Sequence, residues 1–179
     1  AIILLVAMIA VAAFAVLRMV QARVWAEGAG ALITSAVGSW RMWAIAVLGL
    51  IGLFVSFYMA FIETTHTSAI CGPVGDCNTV QQSEYASLFG WLPIGVLGIL
   101  GYGAILVAWA VVRWGKDTQR HFAATALLVM ALFGVLFSIY LTYLEPFVIG
   151  ATCIWCLTSA LCMTLILFFL VMAKPAPKP

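Results

Sequence analysis

Long apolar segments with very few charges between them constrain this chain more than any other feature of its sequence. Only 8% of its 179 residues are Asp, Glu, Lys or Arg, whereas 66% are hydrophobic. Soluble domains carry about 25% charged residues, so a water-exposed surface cannot be built from this composition. The sequence therefore predicts an integral membrane protein. A net charge of +2 without a basic run gives no indication of nucleic-acid binding.

Five segments are apolar enough to be membrane helices, given that a helix needs about 20 apolar residues to cross the hydrocarbon core. We predict spans at 1–17, 42–62, 92–112, 122–144 and 153–173. The first is short enough to be a signal-peptide core, but no convincing small-residue cleavage pattern follows it. The predicted fold is an all-α integral membrane protein. It has a four-helix transmembrane bundle at 41–173 with an outer loop at 63–91, an extra N-terminal transmembrane helix at 1–20, and a proline-rich cytoplasmic tail at 174–179.

The charged residues divide between the two sides of these spans. All eight basic residues flank span ends that share one side, and the loops at 63–91 and 145–152 on the other side carry acidic residues only. The positive-inside rule makes the basic side cytoplasmic. We therefore expect both acidic loops and the N-terminus outside, and the C-terminus inside. The predicted spans have no ionisable residue in their interior, which argues against ion-coupled transport.

Two of the predicted outer helix ends share a sequence pattern. Residues 56–63 read SFYMAFIE and residues 138–145 read SIYLTYLE, and a cysteine follows each final glutamate after eight residues. The pattern is either an internal repeat or a chance similarity between helix ends at the interface, where Tyr and Trp concentrate anyway. In both cases the helix ends bring Cys71 and Cys153 to the same face of the membrane.

Four of the five cysteines form two pairs on this outer face. Cys153 and Cys156 lie three residues apart at the start of the last span, on one helix face and within the reach of a disulfide. A helix N-terminus also favours the thiolate form. Cys71 and Cys77 lie in CGPVGDC, which is typical of a turn-rich, mobile loop. A mobile dithiol beside a fixed one predicts a relay by thiol–disulfide exchange.

Other interpretations fit the same spacings. The two pairs could be permanent disulfides that staple the outer loops of a non-enzymatic membrane protein. Zinc fits poorly, because neither pair lies in a ligand-rich loop, so we predict no metal. Cys162, deeper in the last span, is predicted to be a small apolar core residue. Glycine recurs at Gly95, Gly98 and Gly101, which predicts either close helix contact or room for a flat ring.

The order of these motifs resembles the bacterial, disulfide-bond-forming branch of the vitamin K epoxide reductase family. The resemblance covers about 41–173 and includes the run Cys71-x5-Cys77-x5-Ser83, then YASLFGWLP, GVLGILGY, YLTYLE and CIWCLTSAL. It implies a multi-pass bacterial inner-membrane protein whose helices surround a quinone of unknown type and whose active site faces the periplasm. It further implies an oxidoreductase that reoxidises a thioredoxin-fold, DsbA-like partner and passes the electrons to the quinone.

The resemblance also implies a role for each matched residue. Cys71 would accept electrons from the partner's dithiol, and Cys77 would carry them to Cys153. Cys156 would lie nearest the quinone, with Ser83 as a polar helper. Phe89 is a further predicted quinone contact. Tyr140 and Tyr143 could also bind a quinone oxygen, although a place at the membrane interface explains these tyrosines equally well.

The sequence departs from the mammalian members at two positions. They carry an Asn three residues before the Phe of Phe-Gly and a Tyr four residues after the second Cys of CxxC, where this chain has Ala86 and Ala160. Vitamin K epoxide chemistry is therefore not expected. A DsbB-like thiol oxidase is the nearest alternative, with the same overall reaction. There the CxxC precedes the separated pair, whereas here it follows.

Overall fold

The computed structural model describes residues 1–21, 40–65, 67–71, 75–88 and 92–172, and these residues are mainly helical. Their α-helices are α1 (Ile2–Gln21), α2 (Trp40–Thr65), α3 (Cys77–Gln81), α4 (Ile94–Trp114), α5 (Asp117–Leu144) and α6 (Ile154–Val171). Between α3 and α4 lie a 3-10 turn, Glu84–Ala86, and two short antiparallel strands, β1 (Ser87–Leu88) and β2 (Leu92–Pro93). A π-helical turn, Glu145–Ile149, continues α5.

Four helices are long and apolar enough to cross a membrane: α2, α4, α5 with its π-helical turn, and α6. Together with the shorter apolar α1, they confirm the predicted all-α membrane fold. The outer ends of two predicted spans were placed too early, because α2 continues past Glu63 and the π-helical turn begins at Glu145. Both glutamates, predicted to lie in outer loops, therefore belong to helical segments.

The four long helices pack as one bundle. Both α2 and α5 contact α4 and α6, while α1 lies outside this bundle against α5 and α6. The contact of α1 is made by Met8, Ala12 and Ala15, which are buried in the same core as the bundle helices. Residues 22–39 between α1 and α2 and the predicted tail at 174–179 lie outside the described residues.

The glycines of α4 serve different purposes along the helix. A Cβ on Gly95 would collide with the backbone of Ala60, so the absence of a side chain is what allows α4 and α2 to approach here. A Cβ on Gly101 would meet no atom of the described residues within 4 Å. The predicted close helix contact is therefore confirmed at Gly95, and room for a flat ring at Gly101 stays a prediction.

Hydrogen bonds join the helix ends that carry basic residues. The Arg41 guanidinium donates to the carbonyl of Met172, 2.8 Å away, which links the start of α2 to the end of α6. Trp109 near the end of α4 donates through its indole to the carbonyl of Met42, 2.7 Å away. The basic residues of α2 and of the α4–α5 turn thus share one end of the bundle, and the cysteine pairs lie at the other.

Candidate redox site

The four predicted redox cysteines gather at the end of the bundle opposite the basic residues. Cys71 and Cys77 are joined by a disulfide, with their Cα atoms 6.0 Å apart, and Cys153 and Cys156 are two thiols. Cys77 and Cys153 are fully buried in one apolar cluster, and Cys71 and Cys156 pack against it. The structure therefore brings the two pairs into one site.

Asp76 fixes the loop pair against the segment that precedes α6. Its backbone N–H donates to the carbonyl of Thr152, 3.0 Å away. Because Asp76 precedes Cys77 and Thr152 precedes Cys153, this bond sets those two cysteines side by side. The Asp76 carboxylate also caps α3, where it accepts bonds from the hydroxyl and the backbone N–H of Thr79 at 2.6 and 3.1 Å. These two bonds lower the pKa of Asp76 below its usual value, and the bond from the Thr79 hydroxyl has the larger effect. The capping carboxylate therefore stays ionised at neutral pH.

Two aromatic side chains hold the residue before Cys71. The Tyr58 hydroxyl accepts a hydrogen bond from the backbone N–H of Ile70, and the Trp155 indole donates to the carbonyl of the same residue, both at 3.0 Å. The Tyr58 and Trp155 rings also contact each other, with centroids 4.6 Å apart. Trp155 therefore packs on Tyr58 and also connects the CxxC motif to the outer loop. Gly72 and Pro73, which predicted a mobile loop, lie outside the described residues.

The inner pair lies at the start of α6, as its spacing predicts. Cys153 is the N-cap residue with extended backbone angles, and the helix begins at Ile154. Cys156 follows in the first turn of the helix. Cys162, two turns further along, is buried among apolar side chains of the bundle, as predicted.

A cavity of about 480 Å³ lies beside Cys156, between α2, α4, α5 and α6 and beneath α3. Pockets for small molecules typically measure about 300–1,000 Å³. The walls are mainly apolar and include Met59, Ile105, Met130, Phe137 and Met163. On the side between α4 and α5, the lining residues Leu100, Val129 and Phe133 are also exposed on the outer surface of the bundle.

The repeated sequence pattern supplies polar groups to this cavity from two helices. Its first and last residues line the wall in both copies, namely Ser56 and Glu63 of α2 and Ser138 and Glu145 of α5 and its π-helical turn. A carboxylate oxygen of Glu63 accepts the backbone N–H of Gly95 at 2.9 Å, and one of Glu145 accepts that of Cys153 at 3.1 Å. This convergence favours an internal repeat over chance similarity. The glutamates were missed as site residues because the predicted spans stopped one residue before each of them.

Gln81 is a second site residue that the sequence analysis missed. Its side chain lines the cavity, and its amide nitrogen lies 4.0 Å from the Cys156 sulfur. Its amide oxygen is buried and has no hydrogen-bond partner among the described residues. A buried polar atom of this kind is satisfied by water or a ligand in most proteins. The signal was present in the sequence, because Gln81 lies four residues after Cys77 and therefore on the same face of α3.

The remaining predicted residues fall in different places. Ser83 lines the cavity, and its hydroxyl donates to the carbonyl of Val80 at 2.7 Å, next to the end of α3. Tyr140 and Tyr143 are not among the described residues that line the cavity, and they are 52% and 50% exposed. Tyr140 follows the lining residue Ser138 by two positions, which turns it away on a helix. The geometry thus gives no support to the predicted quinone contacts of these tyrosines, and Phe89 lies outside the described residues.

Comparison with known proteins identifies the family. The sequence model of the Vitamin K epoxide reductase family matches residues 43–171. The chain belongs to this family. The matched segment contains both cysteine pairs and all the helices that form the bundle, and it leaves α1 outside.

The chain is also similar to a plant protein that is named for its thiol chemistry. Thiol-disulfide oxidoreductase LTO1 of Arabidopsis thaliana is 30% identical over 121 residues, which cover 63% of this chain. The same alignment covers 31% of the plant protein, so the chain spans about a third of that relative's length.

Proposed function

We propose that this membrane protein is a quinone-dependent protein-thiol oxidoreductase, which reoxidises a thioredoxin-fold, DsbA-like partner and so supports disulfide formation outside the bacterial cytoplasm. The observation that carries the proposal is that both cysteine pairs belong to one apolar cluster, and that Cys156 also borders a ligand-sized cavity. Membership of the vitamin K epoxide reductase family and the name of the Arabidopsis relative support thiol redox chemistry at these cysteines.

The burial of the cysteines supports an order for the relay. Cys71 is the less buried member of the loop pair, so a partner thiolate attacks its sulfur and Cys77 leaves as the thiolate. The second partner thiol resolves this mixed disulfide and frees Cys71. Cys77 then attacks Cys153 of the oxidised inner pair, and Cys156 leaves. Attack of Cys71 on Cys77 restores the loop disulfide, so each cycle moves two electrons inward by exchange.

The cavity residues fit a quinone as the final acceptor. The walls are apolar and suit a flat ring, and Cys156 lies at the edge of the cavity. The Gln81 amide and the Ser83 hydroxyl, both in the lining, would bind polar atoms of the ring. When bound, the quinone would take two electrons and two protons from the Cys153–Cys156 dithiol. The surrounding apolar side chains keep the inner pair in the same cluster as the loop pair.

The charge distribution supports the proposed orientation. The end of the bundle with Arg41 and the α4–α5 turn is placed in the cytoplasm by the positive-inside rule. The cysteine end then faces the periplasm, where disulfides persist. In this arrangement residues 41–173 form the catalytic bundle, and the helix at 1–20 is an addition to it.

Replacement of Cys156 by Ala tests the proposed function. In detergent, the wild-type protein should transfer electrons from a reduced thioredoxin-fold protein to a soluble quinone analogue, followed by the absorbance of the quinone. Cys156→Ala should abolish this transfer and leave the thermal midpoint close to that of the wild type. Cys162→Ala, two turns further along the same helix and buried, is the matched control and should keep the activity.

The opposite result would identify a structural disulfide. Loss of a stapling disulfide costs about 2–5 kcal/mol in small secreted domains. If Cys156→Ala retained full quinone reduction and only melted earlier, the inner pair would be a staple and the proposed function would be wrong.

A further inference from the structure

One carboxylate of the cavity lies directly at the inner cysteine pair. Glu145 is only 3% exposed, although burial of a charge in a membrane bundle is costly. Its oxygen accepts the backbone N–H of Cys153 at 3.1 Å, and Cys156 lines the same cavity as Glu145. The π-helical turn begins at Glu145 and carries the chain from α5 towards the Cys153 segment. This local geometry keeps the carboxylate on the cavity wall.

We propose that Glu145 is a catalytic residue that accepts the proton of the Cys156 thiol when the inner pair is oxidised. The inference rests on the proposed function, because it assigns a role within that reaction. A thiol must lose its proton to react as a nucleophile or to transfer its electrons. Few groups in the mainly apolar lining can take this proton, and Glu145 is the carboxylate that is hydrogen-bonded to the inner pair, at the backbone N–H of Cys153.

The reaction balances with this assignment. Oxidation of the dithiol breaks the two S–H bonds of Cys153 and Cys156, forms one S–S bond, and releases two electrons and two protons. The quinone proposed above takes up both electrons and both protons. Glu145 forms an O–H bond with the proton that leaves Cys156 and holds it until the reduced acceptor takes it. The carboxylate is then restored for the next cycle.

The internal repeat provides a natural comparison within the same cavity. Glu63 occupies the equivalent position of the pattern on α2 and lines the same cavity. Its carboxylate is bound instead to the backbone N–H of Gly95 at 2.9 Å, which is not part of the inner pair. Replacing either glutamate removes one negative charge from the cavity. Only the replacement of Glu145 removes the proton acceptor.

Alkylation of Cys156 measures this proton transfer without quinone or partner. In a Cys153→Ser background, the rate at which iodoacetamide modifies Cys156 is followed by mass spectrometry at fixed pH. Glu145→Gln keeps an oxygen that accepts the backbone N–H of residue 153, but it cannot take a proton. It should slow the alkylation about a hundredfold, since general bases contribute about 10²–10⁴-fold. Glu63→Gln should not slow it, because loss of a nearby negative charge favours the thiolate.

Unchanged or faster alkylation in Glu145→Gln would overturn the proposal, because a carboxylate that acts only through its charge suppresses the thiolate. If this variant fails to fold, the same background with Glu145 intact gives a second test. Proton transfer to Glu145 predicts slower alkylation in D2O, whereas a preformed thiolate predicts no slowing and would contradict the proposal. Quinone reduction by the wild type is measured separately. Its absence would refute the proposed function, and its presence with unaffected alkylation in Glu145→Gln would refute only the role of Glu145.

Discussion

At the scale of single residues, the site is defined by a few polar groups in a wall that is otherwise apolar. Glu145 touches the inner pair, while Gln81 approaches Cys156 from α3 and keeps a buried amide atom without a protein partner. An amide can both donate and accept hydrogen bonds. Gln81 is therefore suited to bind a ring oxygen both before and after it gains a proton. This role would compensate for the polar residues that mammalian members have where this chain has Ala86 and Ala160.

Replacement of Gln81 by Leu tests this role. The leucine keeps a side chain of similar volume on the cavity wall but cannot form a hydrogen bond to the ring. A neutral hydrogen bond contributes about 0.5–1.5 kcal/mol, so KM for the quinone should rise by up to about tenfold. We expect kcat to change much less, because the cysteines are untouched. The control is Gln82→Leu, at the neighbouring exposed position, for which steady-state kinetics should give the wild-type KM. Equal KM values in all three proteins would contradict the assignment.

At the scale of secondary-structure elements, α4 determines both the packing and the size of the cavity. Its N-terminal part approaches α2 closely at Gly95, and one to two turns later Gly101 faces open space in the cavity wall. The same residue type thus gives close contact at one position and ligand space at another. The difference comes from what lies opposite, which is the Ala60 backbone in the first case.

Alanine replacements at these two glycines should have opposite consequences. Gly95→Ala places a methyl group against backbone that cannot move aside, and overpacking of this kind costs about 1–3 kcal/mol. The thermal midpoint should therefore fall. Gly101→Ala should preserve the midpoint and reduce quinone affinity, because its methyl group enters the cavity. If Gly101→Ala were the less stable variant, the description of this interface would be wrong.

Sequence reasoning predicted the elements whose signals are local. The lengths of the apolar segments predicted the membrane helices, and the asymmetry of charge predicted their orientation. The sequence around Cys153 and Cys156 predicted their position at a helix start. The predicted outer ends of two spans were wrong, because the spans were ended where hydropathy drops, at Glu63 and Glu145. The helices continue there because each carboxylate finds a backbone N–H, of Gly95 or Cys153, that is distant in sequence. Such partners are set by packing and leave no local pattern.

The predicted quinone contacts of Tyr140 and Tyr143 gain no support from the geometry, for a related reason. Tyr140 and Tyr143 are aromatic residues at a helix end, and that composition is shared by ligand sites and by the membrane interface. Helix phase separates the two cases, since Ser138 lines the cavity and Tyr140 does not. The role of Gln81 required knowledge of where α3 lies on the bundle, which follows from the loop disulfide and the Asp76–Thr152 hydrogen bond.

At the scale of the whole molecule, charge and redox chemistry occupy opposite ends of one bundle. The Arg41–Met172 contact closes the basic end, and the Asp76–Thr152 contact closes the cysteine end. The two cysteine pairs should therefore react with partners on one side of the membrane only. Exposed residues at each end allow this orientation to be measured.

Cysteine labelling in intact bacteria tests the orientation. Ser68→Cys lies in the outer loop and Thr118→Cys at the start of α5, and both positions are exposed. A membrane-impermeant maleimide, with labelling assigned to each residue by mass spectrometry, should modify the first and not the second until the membrane is permeabilised. The reverse pattern would place the cysteine pairs in the cytoplasm and invert the proposed orientation.

The exposed side of the cavity wall between α4 and α5 has a consequence for how the acceptor arrives. Leu100, Val129 and Phe133 line the cavity and also face outward, where the surroundings of a spanning bundle are lipid. α1 packs against α5 and α6 and contacts neither α2 nor α4 as extensively. The ring of a membrane quinone would therefore enter the cavity laterally from the bilayer, while its apolar tail stayed among the lipid acyl chains. The site would then discriminate between quinones by their rings, and quinones with tails of different lengths would bind to the same site.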